Sequence, residues 1–221
     1  EAVVQKVEKN SVYFRVRGDE VRVQNELLLI AAGREPNVAE LHLENANVIY
    51  GRSGIKVKKS METTNPRIYA AGDVADQTIK LETVAAREGY IAAENIYERA
   101  NMEMDLLSVP RVIYTDPQVA SVGLLESYCK GCRSSTVPIS AISRARISRR
   151  EDGIIKMVID ERERIVGIHI VSHNASEIIA EGALALRLGL KLDDIINTVH
   201  AFPTMSEALK IAAQSFKRDV T

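Results

Sequence analysis

Four residues bear most directly on chemistry: Asp73 with the Gly72 before it, and Phe202 with Glu207 five positions on. Asp73 closes the run Arg67-Ile68-Tyr69-Ala70-Ala71-Gly72-Asp73. An ionised carboxylate only accepts hydrogen bonds, so at the carboxyl end of a short buried strand it can take two from a sugar or polyol chain. Gly72 has no side chain to hold a ligand off the backbone. Farther on, Glu82, Thr83 and Val84 open a helix-like segment. The first N–H groups of a helix lack internal partners and carry partial positive charge, which suits an electron-rich ring or an anion. Capping a turn or helix is the plainer use of Asp73, and residue type alone leaves both open.

The second constellation is His200-Ala201-Phe202-Pro203-Thr204-Met205-Ser206-Glu207. Thr204 can cap a following helix, and Ser206 and Glu207 fall in its first turn, where a carboxylate gains from the helix dipole. That role needs no catalysis from Glu207. Phe202 cannot carry a proton, and His200 reads as a packed or hydrogen-bonded histidine. Cys129-Lys130-Gly131-Cys132 has no companion pair at metal-finger spacing. It reads as two ordinary thiols, with a local disulfide or soft-metal site as the alternative. The basic stretch Arg144–Arg150 reads as a solvated face, since Glu151 and Asp152 follow at once.

The elements that must position these residues follow from periodicity. Val3–Val7, Ser11–Arg17 and Glu20–Gln24 alternate with a period of two and predict a strand meander. The unbroken apolar run Glu26–Gly33 predicts a strand covered on both faces, ended by Pro36. Gly54–Lys58 predicts an exposed strand, Ile68–Ala71 a buried one, and Glu82–Ala100 a helix with a stripe of Val84, Ala85, Ile91, Ala92 and Ile96. A composition shift near residue 107 predicts a domain boundary. Beyond it come strands at Val112–Thr115 and Val119–Gly123, a hairpin of Ile154–Asp160 with Ile165–Val171, and helices near 175–188, 192–199 and 205–217. The whole predicts mixed α/β and α+β architecture.

The 221 residues are 46 % hydrophobic and 27 % charged, an ordinary globular composition. Lys and Arg number 29 against 30 Asp and Glu, so charge gives no reason to expect nucleic acid or an anionic membrane as partner. No apolar run reaches the length of a membrane span, and a soluble, cytoplasmic protein is expected.

Tyr69-Ala70-Ala71-Gly72-Asp73, with Ala31-Ala32-Gly33-Arg34-Glu35-Pro36-Asn37 ahead of it, resembles the second FAD-binding signature of the two-dinucleotide-fold flavoprotein disulfide reductases. The resemblance implies that Asp73 binds the ribityl chain of FAD, that Gly33, Arg34 and Gly72 belong to the cofactor site, and that Glu82, Thr83 and Val84 face the flavin edge. Tyr114-Thr115-Asp116-Pro117-Gln118-Val119-Ala120-Ser121-Val122-Gly123 resembles the opening of that family's dimerisation domain. Residues 1–37 then end a nicotinamide-nucleotide domain, 38–106 close the FAD domain, and 107–221 form the interface domain of a homodimer. The redox cysteine pair and the Gly-rich loops would precede residue 1, so the chain is expected to be the carboxyl-terminal part of something longer, holding flavin poorly alone.

In the dithiol-exchanging members of the family a histidine acid/base stands immediately before the proline, held by the glutamate that matches Glu207. Here that position is Phe202. The mercuric reductase branch also has an aromatic residue there, and the stretch through Leu209–Val220 is similar to it. The implied reaction runs from NADPH through FAD and the upstream cysteine pair to Hg(II), with Phe202 and Glu207 completing the partner subunit's active site. A dihydrolipoamide dehydrogenase-like enzyme and a non-catalytic dimerisation fragment are the alternatives.

Overall fold

A computed structural model describes residues 2–98 and 100–218, with the side chain of Arg218 left out; the end of the tail motif, through Val220, lies outside them. The chain opens with the expected meander: β1 (Ala2–Glu8), β2 (Ser11–Val16) and β3 (Asp19–Gln24) pair antiparallel in that order. It is a thin sheet. Of its residues only Ser11 is buried, and Val3, Val4 and Val7 all lie on the surface.

The run Glu26–Gly33 forms no strand, contrary to expectation, and Leu27 and Leu29 are 91 % and 89 % exposed. A strand needs hydrogen-bonded neighbours, and a doubly apolar one needs cover on both faces. No described strand lies beside this run. The stretch before Asp73 also falls short of a strand: Tyr69 makes an isolated bridge to Glu62, and Gly72–Val74 is a single 3-10 turn. Gly54–Lys58 shrinks to β5 (Gly54–Ile55), which pairs with β4 (Tyr50–Gly51) and is buried rather than exposed. These pieces are short because they wrap a small core of Val38, Leu43, Val48, Ile55 and Ala70.

Helix α1 (Glu82–Tyr97) packs on a second core of Met61, Val84, Ile91, Ala92 and Met104. Its buried stripe is Val84, Glu88, Ile91, Ala92 and Asn95, while Ile96 is 52 % exposed. Asn95 takes the inward position that the pattern assigned to Ile96. Its amide donates to the Ser60 and Met102 carbonyls and accepts from the Met102 N–H at 2.7 Å, which satisfies a buried polar group.

The largest core belongs to an antiparallel sheet of β6 (Arg111–Ile113), β7 (Gln118–Gly123), β8 (Arg133–Pro138), β9 (Ile154–Ile159) and β10 (Ile165–Ser172), in spatial order β6-β7-β10-β9-β8. Alternate residues Ala120, Val122, Ile155, Met157, Ile168 and Ile170 share its covered face. Against that face lie α3 (Ala175–Leu188), α4 (Leu192–Asn197) and α5 (Glu207–Arg218), while α2 (Ser143–Ser148) adds Ala145. Helix α5 presents Ala208, Leu209, Ala212, Ala213 and Phe216 at helical spacing, and α3 stops at Gly189 in the left-handed conformation.

Candidate functional site

The turn that carries Asp73 is built by glycine geometry and close packing. Gly72 has φ +80°, a conformation L residues resist, and a Cβ there would meet the Ala85 Cβ of α1 at 3.4 Å. On its far side the turn abuts β5. A side chain on Gly54 would collide with the Val74 carbonyl, and the Asp76 N–H donates to the Ile55 carbonyl at 2.8 Å. Glu88, reaching from α1, accepts the Gly72 N–H at 2.7 Å.

Asp73 therefore projects from a turn clamped on both sides. Its Oδ2 accepts from Arg34 Nη1 at 2.9 Å, an exposed pair that joins residues 39 positions apart. Lys80 donates to both the Asp73 carbonyl at 2.9 Å and the Ser53 carbonyl at 3.1 Å, tying the β4–β5 hairpin to the turn. Arg34, Pro36, Asp73, Val74 and Lys80 line an open cleft of about 390 Å³. Gly33, at φ +91°, lies at its approach with no atom near where a Cβ would stand.

At the start of α1, Leu81 provides no side-chain cap, and the first helical bond is donated by the Ala85 N–H to Leu81. Glu82 and Thr83 are exposed, but the Val84 side chain is 3 % exposed and belongs to the core. Any role for Val84 toward a ligand is thus a backbone role. The expected strand end at Asp73 becomes a 3-10 turn, and the carboxylate keeps its access there.

The second constellation sits elsewhere. Phe202, before Pro203, is 72 % exposed. Glu207 begins α5, and its carboxylate accepts the Thr204 N–H at 3.3 Å. Thr204 does not cap the helix itself; its hydroxyl donates to the Ala201 carbonyl at 2.7 Å. His200 is held as a packed histidine, with Nε2 2.9 Å from Glu181, Nδ1 3.1 Å from the Thr198 carbonyl, and a side chain 5 % exposed. Among the described residues no hydrogen bond or ion pair connects Phe202 or Glu207 with Asp73 or the start of α1. The two Cys129 and Cys132 sulfurs are bonded, correcting the free-thiol expectation: their Cα atoms stand 5.5 Å apart, within bridging range.

Glu88, Lys80 and Gly54 are neighbours of the Asp73 turn that motif reading does not single out. For Glu88 the signal existed, because a carboxylate four residues after Val84 and three before Ile91 falls within the apolar stripe. Burial pushes its carboxyl above the usual range, the Gly72 N–H pulls it back, and the charge of Asp73 pushes it up again.

Residues 1–89 match the family description "Pyridine nucleotide-disulphide oxidoreductase", and residues 109–213 match its dimerisation domain. The chain is 38 % identical to a mercuric reductase of Staphylococcus aureus over 98 % of its own length and 41 % of that protein. It is 40 % identical to a dihydrolipoyl dehydrogenase of Trypanosoma brucei brucei over 85 % of its length and 40 % of that protein. It thus spans about two fifths of the curated relatives it matches. Among solved structures, LpdA from Mycobacterium tuberculosis superposes with a TM-score of 0.85 at 25 % identity, covering 96 % of this chain and 47 % of that one. The HOCl-induced flavoprotein disulfide reductase RclA of Escherichia coli gives 0.76 at 25 % identity, covering 94 % of this chain and 48 % of that one. Two family matches in chain order, over a fold shared with flavoprotein disulfide reductases, make this chain a member of the pyridine nucleotide-disulphide oxidoreductases.

Proposed function

We propose that the chain is the carboxyl-terminal part of an FAD-dependent, mercuric reductase-like enzyme that acts as a homodimer, with NADPH as electron donor and Hg(II) as substrate. The observation carrying the choice of substrate is Phe202: an exposed ring with no proton to exchange stands immediately before Pro203. Similarity to mercuric reductases over essentially the whole chain supports the same reading.

The residues at the Asp73 turn fit the polyol arm of a flavin. The carboxylate reaches a cleft, the backbone before it bears no side chain, and the buried carboxyl of Glu88 lies beneath. Bound FAD would supply two-electron transfer between nicotinamide nucleotide and substrate. Asp73 would accept hydrogen bonds from the polyol hydroxyls, sharing the carboxylate with Arg34. Gly33 would keep the approach open, Gly72 would let the turn pack on α1, and the uncapped N–H groups of Glu82, Thr83 and Val84 would favour the electron-rich ring edge. Phe202 and Glu207 act at the dimer contact: the ring excludes water beside the partner's site, and the carboxylate fixes Thr204 and so the backbone that presents the ring. In this reading residues 1–37 end the nucleotide domain, 38–106 close the FAD domain and 107–221 form the interface domain.

A soft Hg(II) ion held by thiolates needs two electrons more than it needs a positioned base. The full-length protein is expected to oxidise NADPH when given Hg(II) with excess thiol and to leave lipoamide essentially unreduced. A second reading, a dihydrolipoyl dehydrogenase-like activity, draws on the 40 % identity to the trypanosomal protein. Brisk lipoamide turnover with no response to Hg(II) selects it.

A further inference from the structure

We propose that Glu88 is a positioning residue of the flavin site: from the second turn of α1 it holds the Gly72 N–H and thereby sets the angle at which Asp73 leaves the turn. This deepens the proposed function and rests on its assignment of Asp73 to the flavin arm.

The case begins with what Glu88 costs. Its residue is 1 % exposed, and while Oε2 takes the Gly72 N–H, Oε1 is buried without a partner among the described residues. An apolar side chain in the same stripe would pack with no polar penalty, so a carboxyl here is poorly explained by stability. Its one engaged atom serves the turn. The extended Ala71 delivers the Gly72 N–H toward α1, whose own backbone carbonyls are committed to the helix, and φ +80° at Gly72 then turns the chain into Asp73. Glu88 supplies the acceptor the helix backbone does not.

Inside the turn the Ala75 N–H donates to the Gly72 carbonyl at 2.9 Å. From outside it, Gly54 and Ile55 fix Val74 to Asp76, and Lys80 fixes the Asp73 carbonyl. Glu88 is the outside support that bonds the residue ahead of Asp73, where a rotation about Gly72 would swing the carboxylate. Asp73 is the charged group facing Glu88 from the packed turn, with Arg34 on its carboxylate and Lys80 on its carbonyl beyond. Burial and, to a smaller extent, the charge of Asp73 push the Glu88 carboxyl above the usual range, while the Gly72 N–H pulls it back.

The test uses the full-length protein with two variants, Glu88→Gln and Glu88→Leu. Glutamine keeps a neutral acceptor of the same shape; leucine keeps the volume and removes the acceptor. Two readouts are taken: the dissociation constant of FAD from fluorescence titration, and amide exchange in the peptide spanning residues 70–76 of the flavin-free protein. Glu88→Leu is expected to weaken FAD binding by about tenfold or more and to speed exchange in that peptide, with the circular dichroism of the fold retained. Glu88→Gln is expected to restore both to within about threefold of the parent. Unchanged exchange and unchanged affinity in Glu88→Leu overturn the proposal, as does a Gln variant as impaired as Leu. Faster exchange in Glu88→Leu, rescued by Gln, in a parent that binds no FAD upholds the grip on the turn and defeats the flavin reading instead.

Discussion

The Asp73 carboxylate already holds one charged partner, Arg34, and still opens on a cleft, so it is placed to exchange part of that pairing for ligand hydroxyls. Beneath it Glu88 imposes a pH dependence with a definite sign. Its folded-state value lies above the usual 4.5, so between those two values the folded state binds more protons than the unfolded one. Stability must then fall as pH rises from about 4.5 through the folded value, and level off above it. Urea midpoints followed upward from pH 4 are expected to show this fall in the parent and a flatter profile in Glu88→Gln. At the other constellation, Phe202→His puts an imidazole before Pro203 on a backbone anchored by Glu207. In the full-length protein that change is expected to raise lipoamide turnover at least about tenfold, the low end of what a positioned acid/base contributes. Unchanged turnover would mean that position 202 does not decide the chemistry.

Elements built on strong local pattern are the ones the sequence made readable. Helix α3 and the hairpin of β9 and β10 lie where periodicity puts them, because each carries an apolar face that a neighbouring element covers. Helix α5 depends on that same cover. Leu209 is 1 % exposed in the core, and Leu209→Ala is expected to cost roughly 2–5 kcal/mol in a denaturation experiment. The uncovered face of the sheet holds a different device, absent from any motif. His169 must donate from Nε2 to the Leu124 carbonyl, 3.0 Å away, which leaves Nδ1 to accept from the Ser121 hydroxyl at 2.7 Å. Burial pushes this imidazole below its usual 6.5; the Leu124 bond opposes that, while the nearby charges of Lys156 and Arg111 add to it. The unfolded chain therefore binds more protons there, and stability must fall as pH drops from about 6.5 through the folded value. A His169→Gln variant should lose that acid-side fall in thermal melts over pH 5 to 7.

The limits of legibility appear at the scale of the molecule. The run Glu26–Gly33 has the composition of a doubly covered strand, yet nothing among the described residues covers it, and composition records what a segment needs rather than what supplies it. The strand expected before Asp73 fails for a related reason: its partner is the short stretch 61–63, which meets it in the one bridge of Glu62 with Tyr69. The Asp73 motif was readable because the turn before it takes a positive φ that glycine adopts freely, whereas Glu88 shows in the sequence as a carboxylate within the apolar stripe of α1, with nothing there to say that it faces Gly72. The chain spans about two fifths of its curated relatives, and the Asp73 turn borders the small core through Val74 whereas the Phe202 segment borders the large sheet core through Met205. The proposed grip of Asp73 on flavin is open to direct test. The most direct measurement is the FAD content and dissociation constant of the full-length protein and of Asp73→Ala, the latter checked for folding by circular dichroism. A parent with about one FAD per chain and a variant binding at least about tenfold more weakly is the predicted result, a lost charge-assisted hydrogen bond being worth roughly 1.5–3 kcal/mol. Equal FAD affinity in the two proteins would contradict it.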